Sequence, residues 1–395
     1  MYKKNIALEY ILTFTRNFSL VHGIWMLYLA LKGFTLLQLG IVEGVFHVTS
    51  LTMEIPTGVI ADVFGRKISR FLSGFLYMLF LILMLIGTDV VVVSIAFALC
   101  GLSYTLESGS GDAMLYDSLV ELDRKSDYPK INGRKEVAYQ AGSMISLLIG
   151  GYIANSDFEL TFKITIIITI ITMLVVLRMK ETTVQKEKEK TSIGEKLKKQ
   201  YVESFKYVFS NKRLGFLLIV GALFAFPVTT IFFYSQNYFF AQGFNTMEIG
   251  LFLALHSGTA VIGALLVERI IKKFSERMIL YFIPLIEVIL LWIYILDYGY
   301  IAFILLGAVE SIIYVILLEY VNRLIPSSKR ATILSISSMI FSILMILVFP
   351  LIGYISDVYS MQEGFIFNAI IATFAYIVFI IIYRRKHERT NQEIL

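Results

Sequence analysis

The chain is poor in the residues on which most soluble chemistry is built. Among 395 residues there is one cysteine, Cys100, so no intramolecular disulfide can form, and no cluster with metal-ligand spacing is found. Charged residues are only 16% of the chain against 57% hydrophobic ones, and the mean hydropathy is +0.75, which excludes a soluble protein with a polar surface. There is no His-Glu-x-x-His, no nucleophile elbow and no Walker loop. A membrane enzyme and a single-chain ATP-driven pump therefore lack their chemistry, and a sensor lacks a soluble domain to report a signal. The net charge of +5 is not a nucleic-acid footprint, because the cations are spread through short loops between apolar runs.

What the chain does have is long apolar runs of roughly 20 residues, each enough to cross a bilayer core of about 30 Å. Twelve can be marked off, near 6–31, 36–61, 69–87, 90–118, 134–155, 161–179, 213–241, 247–270, 278–297, 299–322, 331–356 and 362–383. The N-terminal run is too long for a cleaved signal peptide, so the first span is expected to be its own insertion signal. Cations gather on one side of the spans, including Lys3, Lys4, Arg66, Lys67, Arg70, Arg124, Arg134, Lys135, Lys272, Lys273, Arg330 and Arg384, while the other side carries Lys32 and Lys163. That asymmetry puts both termini in the cytoplasm.

Between spans 2 and 3 lies Gly58-Val-Ile-Ala-Asp62-Val-Phe-Gly65-Arg66-Lys67, in which Gly65 permits a tight turn and Arg66 and Lys67 stand where the chain leaves the membrane. This loop resembles that of the major facilitator superfamily, written Gly-x-Leu-Ala-Asp-Arg-x-Gly-Arg-Lys, with six of eight specified positions matched; Ile60 stands for the Leu and Val63 for the first Arg. The resemblance implies two pseudo-symmetric six-helix bundles in an all-α membrane protein of twelve transmembrane helices, moving solutes by alternating access. It also implies that the motif acid and the following Arg form a cytoplasmic latch with an acid at the inner end of span 4. Asp62, Arg66 and Asp117 match those positions, with Gly58, Gly65 and Lys67 completing the gate motif. Drug-proton antiporters of that superfamily carry Gly-x-x-x-Gly-Pro-x-x-Gly-Gly in span 5; here the stretch is Gly142-x-x-x-Ser146-Leu147-x-x-Gly150-Gly151, without the Pro and with one Gly replaced by Ser.

The composition divides the chain at a Lys/Glu-rich run, giving an N-terminal bundle over 1–180, a cytoplasmic linker over 181–212 and a C-terminal bundle with a short basic tail over 213–395. In the linker Ile193, Leu197, Tyr201, Phe205 and Val208 recur at spacings of three and four, the pattern of an amphipathic helix. Local echoes support two repeats: Leu148-Ile-Gly-Gly-Tyr-Ile in span 5 returns as Leu351-Ile-Gly-Tyr-Ile in span 11, and the Asp62 loop has a fainter counterpart in Glu268-Arg-Ile-Ile-Lys-Lys273.

A charge inside the membrane costs several kcal/mol unless it faces water or a partner, so intramembrane ionisable residues are functional candidates. The resemblance implies that spans 1, 4, 7 and 10 line the cavity. They hold Arg16, on a face with Glu9, Thr13 and Gly23; Glu107, on a face with Cys100, Ser103, Gly111 and Ser118; and Glu310, beside Gly307 and Tyr314. Glu54 precedes Pro56 in span 2. Arg16 is expected to pair with an acid, and Glu107 or Glu310 to carry a proton; a permanent structural ion pair is the competing reading. Glu287, in peripheral span 9, reads as structural or facing an interhelical gap, and His47 and His256 as packed, hydrogen-bonded histidines. The small residues after Glu107, from Ser108 to Gly111, are expected to let span 4 pack closely on a neighbour. Phe14, Phe18, Trp25, Tyr104, Phe226, Tyr234 and Tyr314 are candidates for an apolar pocket suited to lipophilic or cationic solutes.

These readings converge on a secondary transporter of the bacterial efflux, drug:proton antiporter type, exporting small lipophilic or cationic compounds, with an importer or lipid flippase of the same fold as the alternative and a membrane enzyme or sensor as a distant one. The expected partners are a small-molecule substrate, protons and the bilayer of the cell membrane; no cofactor, metal or nucleic acid is expected, and the protein is expected to be a monomer.

Overall fold

Spans this apolar can satisfy their backbone in lipid only as helices, and the computed structural model is all-helical in the residues it describes, 2–182, 203–296, 298–326 and 330–392. The helices are α1 (Tyr2–Asn17), α2 (Trp25–Leu31), α3 (Leu36–Phe64), α4 (Arg66–Ile86), α5 (Val90–Val120), α6 (Tyr128–Ala154) and α7 (Phe158–Leu177). They continue as α8, described over residues 203–210, then α9 (Lys212–Ala241), α10 (Thr246–Lys273), α11 (Glu276–Tyr294), α12 (Gly299–Leu324), α13 (Arg330–Val358) and α14 (Met361–Gln392). Among the described residues eleven helices are long and apolar enough to cross a membrane. Ile193, Leu197 and Tyr201 of the expected amphipathic linker helix lie outside the described residues.

The first span is where the structure departs from the sequence reading. It is not one helix over 6–31 but two, α1 and α2, separated by turns at residues 18–24. A break at membrane depth frees backbone groups that lipid cannot satisfy. Here local i→i−3 bonds take over, from His22 N to Ser19 O (3.3 Å) and Ile24 N to Val21 O (3.1 Å), and Leu20 N donates to Thr165 Oγ1 on α7 at 3.3 Å. Thr165 belongs to a buried threonine row, Thr161, Thr165, Thr169 and Thr172, whose hydroxyls otherwise return to their own helix. Thr172 also reaches Thr15 of α1 at 2.9 Å.

Small residues set the close approaches. A Cβ on Gly142 would lie 2.6 Å from Phe14 O, and one on Gly150 only 2.3 Å from Leu20 O, so α6 packs directly on the backbone of the broken segment. Ser146, between them, donates to Asn17 O at 3.5 Å. Next on the same helix, a Cβ on Gly151 would meet Thr246 O at 2.5 Å and Gly250 Cα at 2.8 Å, which brings α6 against the start of α10.

Helix ends are capped by residues the local sequence supplies. Thr35 and Gln38 form a reciprocal capping box, and Asp89 and Asp157 accept the first N–H groups of α5 and α7. Lys32 donates to Met84 O, Leu85 O and Gly87 O at 3.1, 2.9 and 3.2 Å, closing the C-terminus of α4. Burial pushes the Lys32 amine below the usual lysine range, and the charge of Glu159 opposes that shift.

The chain resolves into two compact units. Unit 1 comprises Met1–Lys199 with Gln236–Ala254, and unit 2 Gln200–Ser235 with Leu255–Leu395. Within unit 1, α4 packs along both α5 and α7, and α1 lies on α6; within unit 2, α11 packs along α12 and α14.

Candidate functional site

The densest chemistry in unit 1 is a network of three acids and three cations spread over four helices. The Arg70 guanidinium on α4, 2% exposed, donates to both oxygens of Glu9 on α1 at 2.6 and 3.0 Å. It also donates to Glu107 Oε1 on α5, from Nε at 3.0 Å and from Nη2 at 2.7 Å. The other Glu107 oxygen lies 3.3 Å from Arg16 Nη1, whose donors also reach Ser73 Oγ (2.8 Å) and Ser103 O (3.5 Å). Lys135 on α6 stands 3.7 Å from Glu9 and is hydrogen-bonded to Asp112 of α5. The six formal charges cancel, which is what allows them to be held at this depth.

Burial separates the two acids that share Arg70. Glu9 is 1% exposed and gripped bidentately, the geometry a planar guanidinium makes best. Glu107 is 14% exposed and is shared between two arginines, of which Arg16 is itself 26% exposed. Gly111 makes the room: a Cβ there would lie 3.0 Å from Glu107 Oε1 and 3.5 Å from Arg70 Nη2. Gly109, in the same small-residue stretch, meets nothing within 4 Å.

Sequence reasoning placed Arg16 and Glu107 here but read Arg70 and Lys135 as loop cations on the cytoplasmic side. The structure puts both inside helices, with Arg70 fully enclosed. The available signal was periodicity: Arg66, Arg70, Ser73 and Tyr77 fall on one face of α4, a polar stripe in an otherwise apolar helix.

The Asp62 loop is organised by a residue from beyond α7. Gly65 sits at φ +99°, in the region that favours glycine, between α3 and α4. The Glu181 carboxylate accepts from Arg66 N (3.1 Å) and Lys67 N (2.8 Å), placing negative charge on the N-terminus of α4. A Cβ on Gly65 would meet that carboxylate at 2.8 Å. Arg66 pairs with Asp117 at the end of α5, and Lys67 Nζ donates to Leu177 O, the last carbonyl of α7, at 2.7 Å. Gly58 has open space around its Cα. Asp62 lies on α3, and its side chain is outside the described residues.

In unit 2, Glu310 on α12 is 30% exposed at its side chain and lies 3.7 Å from His256 Nε2 on α10, whose Nδ1 faces Phe303 O at 2.7 Å. His47 pairs with Glu43 along α3 at 3.5 Å in unit 1, and Glu54 is half-buried on the same helix. The candidate aromatics divide by burial. Trp25 packs on Phe97, Tyr234 packs on Phe349, and Phe226 is 1% exposed, so these three stand in cores. Phe14 and Phe18 are stacked and half-buried, and Tyr104 and Tyr314 are 57% and 63% exposed. No group of acids, histidines and cysteine with metal-binding geometry occurs among the described residues.

Comparison with known proteins matches this architecture throughout. An uncharacterized MFS-type transporter, YxaM, from Bacillus subtilis (strain 168) is 27% identical over 377 residues, 92% of each chain. Similar solved structures include the nucleoside transporter NupG (13% identity, TM-score 0.77, covering 97% of this chain and 98% of that one). A bacterial homolog of the human lysosomal transporter Spinster (13%, TM-score 0.78, 97% of each) and a D-xylose-proton symporter (12%, TM-score 0.73, 96% of each) share the same fold. The Major Facilitator Superfamily profile matches residues 10–298 and 285–394, and with nearly the whole chain covered this protein belongs to that superfamily of membrane transporters.

Proposed function

We propose that this chain is a proton-coupled exporter of small lipophilic or cationic compounds, working by alternating access between six-helix halves at 1–180 and 213–395, with both termini cytoplasmic. The observation that carries the coupling is the position of Glu107. Its carboxylate is shared by Arg70, which is fixed, and Arg16, which is partly exposed and holds it at the longer 3.3 Å. Protonation of Glu107 removes the charge that keeps Arg16 in place while Glu9 still neutralises Arg70, so one proton changes what Arg16 binds without dismantling the network. Glu9, enclosed and doubly bonded, serves as the permanent counter-ion. The partly exposed aromatics Phe14, Phe18, Tyr104 and Tyr314 suit an apolar, cationic solute. The Arg66–Asp117 pair acts as the latch, biasing one conformation of the cycle.

Uptake of a polar or anionic solute is the second reading, and the partly exposed edge of Arg16 favours it, since a guanidinium that reaches solvent is a ready anion partner. One experiment separates the two. Export of a lipophilic fluorescent cation from vesicles under an imposed proton gradient is compared for wild type and Glu107→Gln. Gradient-driven export by the wild type that disappears in the variant supports the exporter. Absence of export by the wild type, with Arg16-dependent accumulation of an anionic solute instead, replaces it with the importer.

A further inference from the structure

Unit 2 holds a carboxyl that the ion-pair network of unit 1 does not explain. Glu287, midway along α11, is fully buried, and neither Oε1 nor Oε2 has a hydrogen-bond partner among the described residues. An ionised carboxylate so placed costs several kcal/mol with nothing to offset it. Among the described residues no cation is paired with it. On its own helix Tyr294 is engaged with Ser235 of α9 at 2.7 Å. From α14, Asn368 donates to Pro227 O of α9 at 2.9 Å, and Tyr376 reaches Tyr281 O at 3.1 Å. The charged group facing it is another acid, Glu310 on α12.

The register of α11 and α12 explains why the two acids meet. The helices run antiparallel: Tyr294 packs on Phe303 with ring centroids 6.4 Å apart, and ten residues earlier in α11 Pro284 shares an apolar cavity with Ile313, ten residues later in α12. Glu287 and Glu310 fall opposite each other between these contacts. Two carboxylates so placed cannot both be ionised cheaply. The third member is His256. A carbonyl only accepts, so Nδ1, 2.7 Å from Phe303 O, must carry a proton. In the neutral ring Nε2 would then present a lone pair to the Glu310 carboxylate 3.7 Å away, an arrangement that becomes favourable only when a proton sits on the imidazole or on Glu310.

We propose that Glu287, Glu310 and His256 form a proton-binding site within unit 2, with the proton stored on the Glu287 carboxyl and exchanged through Glu310 and His256. The exchange moves one proton and breaks one O–H bond. Glu287 gives its proton to the Glu310 carboxylate, and Glu310, whose side chain is 30% exposed, passes it to water or to His256 Nε2; reprotonation runs the same way in reverse. The site is separate from the Glu107 network and goes beyond the export reading, since it requires no particular substrate or direction.

Infrared difference spectroscopy of the full chain reconstituted in lipid tests it without measuring transport. A protonated carboxyl has a C=O stretch that a carboxylate lacks. That band is expected in the wild type at neutral pH, missing in Glu287→Gln, and retained in Glu310→Gln with its response to a pH jump slowed about tenfold or more, because Glu310 is the exchange route. Glu287→Gln, an isostere of the neutral acid, is expected to fold with unchanged thermal stability. A wild-type spectrum without any protonated-carboxyl band overturns the proposal, as does equal band intensity in wild type and Glu287→Gln. Unfolding of Glu287→Gln while Glu287→Asp stays folded overturns it too, since the fold would then need an ionised group.

Discussion

Arg70 closes on Glu9 through two parallel hydrogen bonds, 2.6 and 3.0 Å long, with both side chains 1% exposed. The pair joins α4 to α1 within unit 1, and its second acid, Glu107, brings in α5. Removing one member of such a pair leaves its partner charged and buried. Arg70→Met is therefore expected to lower stability by about 3–5 kcal/mol, and Arg70→Lys to recover little of it, because an ammonium cannot grip both oxygens. Arg70→Met with Glu9→Met and Glu107→Gln should regain much of the loss. Thermal unfolding of the purified variants checks this, and a stable Arg70→Met single variant would show that the pair is dispensable.

The latch makes a kinetic prediction. Arg66→Ala, Asp117→Asn and Asp62→Asn should insert normally but transport slowly, with the maximal rate falling far more than the apparent affinity, if the proposed latch biases a conformational equilibrium without touching solute. Rate against substrate concentration distinguishes the two effects. Normal transport by all three variants removes the latch.

Glu181 and Gly65 form one device and should fail by different amounts. Glu181→Ala removes two charge-assisted bonds at the N-terminus of α4 and is expected to cost about 1–2 kcal/mol. Gly65→Ala combines about 1–3 kcal/mol of strain, from a positive-φ extended conformation nearly confined to glycine, with a clash against the Glu181 carboxylate, so it should be the worse of the two. In a Glu181→Ala background the clash is gone, and Gly65→Ala should cost less there. A double-mutant cycle by thermal melting reads the difference.

Glycines that look alike in sequence should differ on substitution. Gly151→Val places carbon against the backbone of α10 and is expected to cost about 1–3 kcal/mol, whereas Gly109→Ala meets open space and should be neutral or stabilising by up to about 1 kcal/mol. Parallel melts of the two variants decide it.

How much of the site was legible follows from what each residue's neighbours are. Arg16 and Glu107 could be found because an ion in an apolar run is conspicuous. Arg70 and Lys135 stand near span ends where cations are ordinary; the polar stripe of α4 marks Arg70 as facing one side, but only the fold shows that this side carries it into the interior beside Glu9. Glu181 was invisible for a different reason: it lies 115 residues from the Arg66 amide it caps, and nothing local marks it as a cap. In the fainter span 8 counterpart of the Asp62 loop, Glu268 pairs with Lys272 on the exposed face of α10.

The sequence by itself determined the apolar surroundings and the helical class, because a bilayer core allows a lipid-facing apolar run one regular backbone conformation. It also determined the turn at Gly65 and the caps that are local in the chain, those of Thr35 with Gln38, Asp89 and Asp157. Tertiary structure alone decided the break in the first span, the enclosure of Arg70 and the meeting of Glu287 with Glu310. Those depend on which helix lies opposite which and in what register, and the free energy of a buried charge is set by groups scores of residues away, not by its neighbours in sequence.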